Sequence, residues 1–407
     1  MTETKSTKAK TTTKAKISEI KPEQLARLRE ITDSWIRLAT RGKCANISPA
    51  ELQETINWNY KQAGLKAPTL VIANNLVEYK MMGHIATQAG YKTIDEKTIY
   101  EKYVGLVDNM EKQLYDKLTN EVGSKLWTES KERMETALLT NMLNPLQRAV
   151  TAMNESELPR MKGIFADVKK SFEEQTGVKL GKKNIEYGLA TIEYYFGLAH
   201  DSHLPFYEFC LEEGFMENKT MVEYIEKFKN GFLTMLFFDG LAIACRLPKQ
   251  VKKNGAGFLH DDKEFAVKWN DGTGHNFLRG VYFDENMFNR VINSEIPAKE
   301  LLQIKNMEQR YASIQVYNID KLLKEVNAKR IDKANKKNHE GKPYFIELYA
   351  IDGLIPNRTL KLVKYSDPST GRVYPDFVPD KIMGAEEAMA FKFNVPLPEY
   401  KTLTKEA

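Results

Sequence analysis

Apolar residues in the first part of the chain recur at three- and four-residue steps, the pattern of an amphipathic helix. Residues 22–39 carry one such stripe, made of Leu25, Leu28, Ile31, Trp35 and Leu38. A second helix is predicted after Ser48, where Pro49 and Glu51 complete a capping box with proline at the first helical position. The short β-branched run 68–73 predicts one buried strand. Further helical patterns cover residues 76–89, 96–121, 129–142, 164–175, 184–199 and 221–236.

The pattern changes after Leu247, where glycines and turn dipeptides separate short alternating stretches. Asp271-Gly272 lies between two such stretches and is typical of a hairpin, because both residues tolerate positive φ. We predict a β-meander over residues 243–283. The elements predicted after it are helices over 298–316 and from 319, strands over 344–351 and 359–365, and a last helix over 384–393. The fold class is therefore predicted as α+β, with a mainly helical domain over 18–240 and a mixed domain over 241–400.

Positive charge is concentrated at the start of the chain. Residues 1–16 contain five lysines and one acid, so they carry four of the five net positive charges. Because this stretch has no apolar stripe, residues 1–17 are predicted to form a disordered basic tail. Such a tail could solubilise the chain, or it could contact nucleic acid through its charge.

The composition also indicates where the protein works. No apolar stretch reaches the roughly 20 residues of a membrane span, and the first residues lack the apolar core of a signal peptide. Cys44, Cys210 and Cys245 are far apart, which gives neither a disulfide framework nor a metal-ligand spacing. We therefore expect a soluble, cytoplasmic protein with no membrane partner and no metal.

An ordered series of short motifs resembles an uncharacterised bacterial domain-of-unknown-function family. The series consists of Leu259-His260, Ala266-Val267, Asp271-Gly272, Asn306-x-Glu308-x-Arg310, Val378-Pro379 and Glu387-Ala388. It spans most of residues 25–400. The chain departs from the family at Glu264-Phe265, where Gly-Pro is usual, and at Gly384, where threonine is usual. The resemblance implies a fold and no activity, so the cofactor and the substrate stay unknown.

Four residues are candidates for acid–base chemistry or metal binding: His260, Asp271, Glu308 and Arg310. Asp261, Asp262 and His275 lie near them in the sequence. A structural interpretation competes with the catalytic one. Asp271 suits a hairpin turn, and Glu308 or Arg310 could tie its helix to the meander through a charged hydrogen bond. No common catalytic or phosphate-binding motif occurs, which favours the structural interpretation.

Two further patterns have alternative interpretations. His200 and His203, with Glu193 and Cys210 nearby, could bind a metal, but Pro205 favours a helix end where a histidine cation meets the dipole. The second pattern is the lysine-rich stretch 321–342, in which Lys329, Arg330, Lys333, Lys336 and Lys337 could line one surface and contact phosphates. Its alternative is the solvated end of a helix that runs into a flexible loop.

The leading functional hypothesis is a non-catalytic binding or assembly protein, of the kind that phages or mobile elements carry. Its predicted partner is nucleic acid or another protein. The alternative hypothesis is an enzyme that acts on nucleic acid or nucleotides through the region of His260 and Asp271.

Overall fold

The computed structural model describes residues 16–40, 47–94, 110–180, 185–190, 202–229, 231–355 and 358–403. Helices fill the first part, and antiparallel sheets with further helices fill the second, so the predicted α+β class is confirmed. The chain divides into two compact units. Unit 1 comprises Met1–His260 and Phe265–His275, and unit 2 comprises Asp261–Glu264 and Asn276–Ala407. Of the predicted basic tail, all but two residues lie outside the described ranges.

The helices of unit 1 follow the predicted apolar stripes. They are α1 (Pro22–Thr40), α2 (Pro49–Gln62), α3 (Leu76–Ala89), α4 (residues 110–117), α5 (Asn120–Met134), α6 (Asn144–Ser156), α7 (Leu158–Thr176), α8 (Leu204–Glu212) and α9 (Lys219–Lys229). The stripe of α1 is buried at Leu28, Ile31 and Trp35. The capping box of α2 forms as predicted, because Ser48 and Glu51 each accept the other's backbone N–H.

A π-helical segment, Glu135–Leu143, joins α5 to α6 without a break. Its physical cause lies at Pro145, which has no N–H and whose ring would crowd the carbonyl of Asn141 in an α-helix. The wider turn lets the N–H of Asn144 bind the carbonyl of Leu139, five residues earlier. The helix predicted over 129–142 is thus the middle of a longer one.

Two other predicted helices can be compared only in part. The helix predicted over 96–121 falls partly on residues 95–109, which lie outside the described ranges. Of the helix predicted over 184–199, residues 185–190 are described and are not helical. Among the described residues, no helix is both long enough and apolar enough to cross a membrane.

A three-stranded sheet lies in unit 1, in the order β1-β3-β2. The strands are β1 (Thr69–Ala73), β2 (Thr234–Phe238) and β3 (Leu241–Cys245). Strand β1 is parallel to β3, whereas β2 and β3 form an antiparallel hairpin in which every strand residue is buried. The helix predicted over 221–236 is wrong in its second half. A continuous apolar run has no period that distinguishes a buried strand from a buried helix.

The hairpin also bears on the predicted domain boundary. A division at residue 240 would cut the turn between β2 and β3, which pair along their whole length. Unit 1 instead continues to His260 and includes Phe265–His275.

Four short strands form the predicted meander: β4 (Gln250–Val251), β5 (Val267–Lys268), β6 (Gly274–Leu278) and β7 (Val281–Phe283). Strand β5 pairs with the unit 1 end of β6, and the unit 2 end of β6 pairs with β7. The predicted turn at Asp271-Gly272 is confirmed, and Gly272 has a φ of +85°. The turn before β7 places Arg279 and Gly280 at positive φ.

Unit 2 contains a four-stranded antiparallel sheet in the order β11-β10-β9-β8. Its strands are β8 (Lys329–Lys337), β9 (Pro343–Ile355), β10 (Arg358–Ser366) and β11 (Val373–Val378). Its helices are α10 (Glu285–Ile292), α11 (Ala298–Leu302), α12 (Met307–Val316), α13 (Ile319–Glu325), α14 (Ala385–Lys392) and α15 (Leu397–Thr402). The helix predicted over 298–316 is two helices, because Asn306 caps a new start.

The sheet of unit 2 has an apolar core on each face. Ile351 and Leu362 belong to the cluster formed with α10–α13. Leu348 and Val363 belong to the cluster formed with α14 and α15. The prediction of a flexible loop in the lysine-rich stretch is wrong for residues 329–337. They form the edge strand β8 of this sheet.

Candidate functional site

The four predicted acid–base residues are divided between the two units. His260 and Asp271 belong to unit 1, and Glu308 and Arg310 belong to unit 2. On α12, Glu308 is exposed, and the guanidinium of Arg310 donates to the carbonyl of Leu302 at 3.5 Å.

The tie from α12 to the meander is made by neither of the two predicted residues. The side-chain amide of Gln309, which lies between Glu308 and Arg310, donates to the carbonyl of Tyr282 on β7 at 2.9 Å. An uncharged amide therefore takes the structural role that we predicted for a charged group.

Asp271 binds two parts of unit 1. One carboxylate oxygen accepts from the N–H and the hydroxyl of Thr273 at 2.9 and 2.7 Å, which closes the hairpin turn. The other oxygen accepts from the amide of Asn75 at 2.7 Å. Asn75 follows β1 and caps α3. The turn of the meander is thus held to the carboxyl end of a parallel strand.

A second carboxyl group lies close to Asp271. Glu78, in the first turn of α3, accepts from the backbone N–H of Asn74 at 2.8 Å. Burial, followed by the charge of Asp271, raises the pKa of Glu78. Burial and then the charges of Glu78 and Asp271 also raise the pKa of Cys245 at the end of β3. Glu78 is absent from the predicted site, although the Asn74-Asn75 pair directly after a buried strand is a signal that could have indicated it.

Two histidines of unit 1, His203 and His275, are buried, which disfavours their charged form. His275 accepts a hydrogen bond from the indole of Trp269 at 3.1 Å, and burial lowers its pKa to about 4. His203 stacks on Trp127, and burial with the charge of Lys131 lowers its pKa to about 4. The prediction of a histidine cation at this helix end is therefore wrong for His203. His200 and Glu193 lie outside the described residues. Within the described ranges, no three histidine, cysteine or acidic side chains form a metal-binding group.

The cations of β8 do not line one surface. Arg330 and Lys333 both pair with Glu347 on β9, at 2.9 and 3.2 Å. Because alternate side chains of a strand point to opposite faces, Lys336 points away from Lys333. It lies over the ring of Tyr400 at 4.3 Å and within 3.5 Å of Glu386. Lys329 and Lys337 are exposed.

Cations and tyrosines alternate around a pocket at the opposite edge of the same sheet. The pocket has a volume of about 360 Å³. It is lined by Arg279, Tyr311, Gln315, Tyr365, Asp367, Pro368, Tyr374, Asp376, Met389, Lys392 and Phe393. We call it the tyrosine pocket. The turn before β7 and the elements α12, β10, β11 and α14 all contribute to it, so it lies within unit 2.

The rings and cations of this pocket form a stack. Tyr365 and Tyr374 face each other with ring centroids 5.8 Å apart and planes inclined by 27°. Lys392 lies over the Tyr365 ring at 3.9 Å, and Arg372 lies over the Tyr374 ring at 5.5 Å. Arg279 covers Tyr311 at 5.9 Å. Cation–π contacts of this kind attract a positive charge to the face of an aromatic ring.

Asp376 organises the pocket from its interior. It accepts from the hydroxyl of Tyr365 at 2.9 Å and from that of Tyr311 at 3.2 Å. The ammonium of Lys392 lies 2.7 Å from the same carboxylate. Burial raises the pKa of Asp376, although hydrogen bonds from Tyr311 and Gln315 and the charge of Arg279 oppose the rise. One carboxylate therefore fixes two rings and one cation.

No family model matches this chain, and neither the curated proteins nor the solved structures contain a significant match. The resemblance to a family of unknown function stays a prediction.

Proposed function

We propose that unit 2 is a non-catalytic module that binds single-stranded nucleic acid at the tyrosine pocket. The observation that carries the proposal is the stack Arg372–Tyr374–Tyr365–Lys392. Single-strand binding proteins combine aromatic rings, on which bases stack, with cations that follow the backbone. Two stacked tyrosines have cations over their rings here, whereas Arg330 and Lys333 of the predicted lysine-rich stretch share the carboxylate of Glu347.

The shape of the site favours an unpaired base. A pocket of about 360 Å³ is concave and has rings in its wall, so a base must leave a duplex to enter it. Inside, the base would stack on a tyrosine ring or on a guanidinium plane. The phosphates on either side would meet Arg279, Arg372 and Lys392.

Salt dependence and strand preference test this proposal. Labelled single-stranded DNA and RNA 20-mers and the matching duplex are titrated with the whole protein, and fluorescence anisotropy is recorded. We expect single strands to bind at least tenfold more tightly than the duplex. With three phosphate contacts, the logarithm of affinity should fall with the logarithm of salt with a slope of about −2. The proposal is wrong if neither single strand binds at low salt.

A second candidate function is an enzyme acting on nucleic acid or nucleotides through the region of Asp271. The observation in its favour is the proximity of Glu78 and Asp271, since a buried carboxyl group with a raised pKa, such as Glu78, can act as a general acid beside a second carboxylate. A nuclease assay with Mg²⁺ or Mn²⁺ tests it. Activity that Asp271→Asn and Glu78→Gln each abolish, while thermal stability is kept, would support the enzyme.

A further inference from the structure

Lys253 is a partly buried amine in unit 1 that the proposed function does not use. It forms an antiparallel bridge with Leu259 at the base of a short hairpin. Its ammonium group donates to the carbonyl of Ala137 at 2.8 Å. Ala137 belongs to the π-helical segment, so this hydrogen bond ties the Lys253 side chain to the widened part of the long helix.

The amine faces a cleft of about 580 Å³. Residues of α1, α5 and the π-helical segment form its walls, together with the hairpin: Asp33, Ile36, Glu129, Glu132, Arg133, Thr136, Ala137, Asn141, Lys253 and Gly257. We call it the lysine cleft. All of these residues belong to unit 1.

The charges around the amine decide which ligand can enter. Asp33 forms an ion pair with Arg133 at 2.7 Å, so these two charges cancel. Glu129 pairs with Arg29 at 2.7 Å, and Glu132 adds a further negative charge. The walls are therefore neutral to acidic, which disfavours an anionic ligand. Burial lowers the pKa of Lys253 to about 8.

A lysine of this kind has an unusually large fraction of free amine. An ordinary lysine, with a pKa near 10.4, is almost wholly protonated at neutral pH and does not act as a nucleophile. With a pKa of about 8, roughly a tenth of Lys253 is free amine at pH 7. Desolvated lysines are the ones that form Schiff bases with carbonyl compounds.

We propose that Lys253 is a nucleophilic amine that captures a small, uncharged aldehyde in the lysine cleft as a Schiff base. The nitrogen lone pair attacks the carbonyl carbon, and the C=O π electrons move to oxygen, giving a carbinolamine. Loss of the hydroxyl group as water, with the second amine proton, leaves a C=N bond. The carbonyl of Ala137 positions the nitrogen, since it accepts one N–H while the lone pair points elsewhere.

Reductive alkylation tests the proposal on the wild-type protein, so no variant has to fold. Propionaldehyde and cyanoborohydride are added at pH 7.5, and the modified lysines are mapped by mass spectrometry over time. We expect Lys253 to be alkylated at least tenfold faster than the exposed Lys299. Its rate should level off above a pH of about 8, whereas the rate at Lys299 should keep rising. Equal rates at both lysines would overturn the proposal.

Two comparisons define the ligand class. Glyoxylate carries the same reactive aldehyde with a carboxylate, so the preference for Lys253 over Lys299 should be smaller with glyoxylate than with propionaldehyde. An equal or larger preference would contradict an uncharged ligand. Lys253→Arg keeps the charge and a donor to Ala137. Its melting temperature should match the wild type while the fast alkylation disappears, and persistence of the fast phase would assign it to another lysine.

Discussion

The two edges of the unit 2 sheet carry cations in different ways. On β8, Arg330 and Lys333 share one carboxylate, Glu347, so much of their charge is cancelled. At the β11 edge, Arg279 and Arg372 lie over tyrosine rings, which attract a cation but do not neutralise it. The lysine-rich strand has more cations in a row, yet the tyrosine pocket places its cations directly against aromatic rings. The groups that surround a cation determine the electrostatic potential that it contributes at the surface. The number of lysines in a strand does not determine that potential.

Replacement of Asp376 by alanine should have the largest effect on this comparison. The change leaves Lys392 without its 2.7 Å partner and frees the hydroxyls of Tyr311 and Tyr365. Because Asp376 takes part in all three contacts and is partly buried, we expect its loss to lower the free energy of unfolding by about 2 kcal/mol. Binding to single strands should fall below detection. Urea denaturation and anisotropy measure the two effects, with the exposed Asp380→Ala as the matched control.

Loss of the stacked ring should weaken binding without unfolding the protein. Tyr374→Ala removes one ring of the stack and exposes Tyr365. Stacking is worth about 1–3 kcal/mol per base, so the dissociation constant for a single strand should rise roughly tenfold or more. Tyr374→Phe, which keeps the ring, should bind like the wild type. Equal affinity in the alanine variant would mean that bases do not enter the tyrosine pocket.

Removal of the carboxylate on β9 should make the two edges more alike. Glu347→Gln frees Arg330 and Lys333 from their shared ion pair. We expect single strands to bind about two- to threefold more tightly at low salt, with a steeper salt dependence. Burial alone would raise the pKa of Glu347, but hydrogen bonds from Tyr349, Lys333 and Arg330 lower it overall. The carboxylate therefore stabilises the fold at pH values above the pKa that Glu347 has in the unfolded chain. This contribution is lost as pH falls through the folded pKa.

Charge reversal at the ends of β8 should have the smallest effect. Lys329 and Lys337 are both exposed, and the β8 edge is opposite the tyrosine pocket in the strand order. The double variant Lys329→Glu and Lys337→Glu should therefore change single-strand affinity by less than about twofold at physiological salt, where charges this far apart are screened. If the double variant abolishes binding, the basic strand is the interface and the tyrosine pocket is not.

Local signals predicted much of the fold. The stripe of α1 and the capping box of α2 are set by neighbours in sequence, and both form as predicted. Strand β2 was missed because a fully apolar run has no helical or strand period. Strand β8 was missed for the opposite reason, since nearly all of its residues are polar. Only pairing with β9 makes it a strand.

The candidate site could not be predicted from spacing. Tyr311, Tyr365 and Tyr374 come from a helix and two strands, and the register of β10 with β11 places the last two opposite each other. No sequence window contains all three. The tyrosines meet their cations through sheet pairing instead.

The π-helical segment has a consequence for how the chain tolerates a change of length. A π turn accommodates one residue more than an α-helix of the same span, so the residues on either side keep the faces that they would have in an unbroken α-helix. Deletion of the exposed Thr140, combined with Pro145→Ala to remove the ring that crowds an α-helix, should therefore tighten the segment into a regular helix while the buried faces of α5 and α6 stay inward. The carbonyl of Ala137 would then turn with the new register and release Lys253. At this one position, the loss of a residue would spare the fold and alter the reactivity of a single amine.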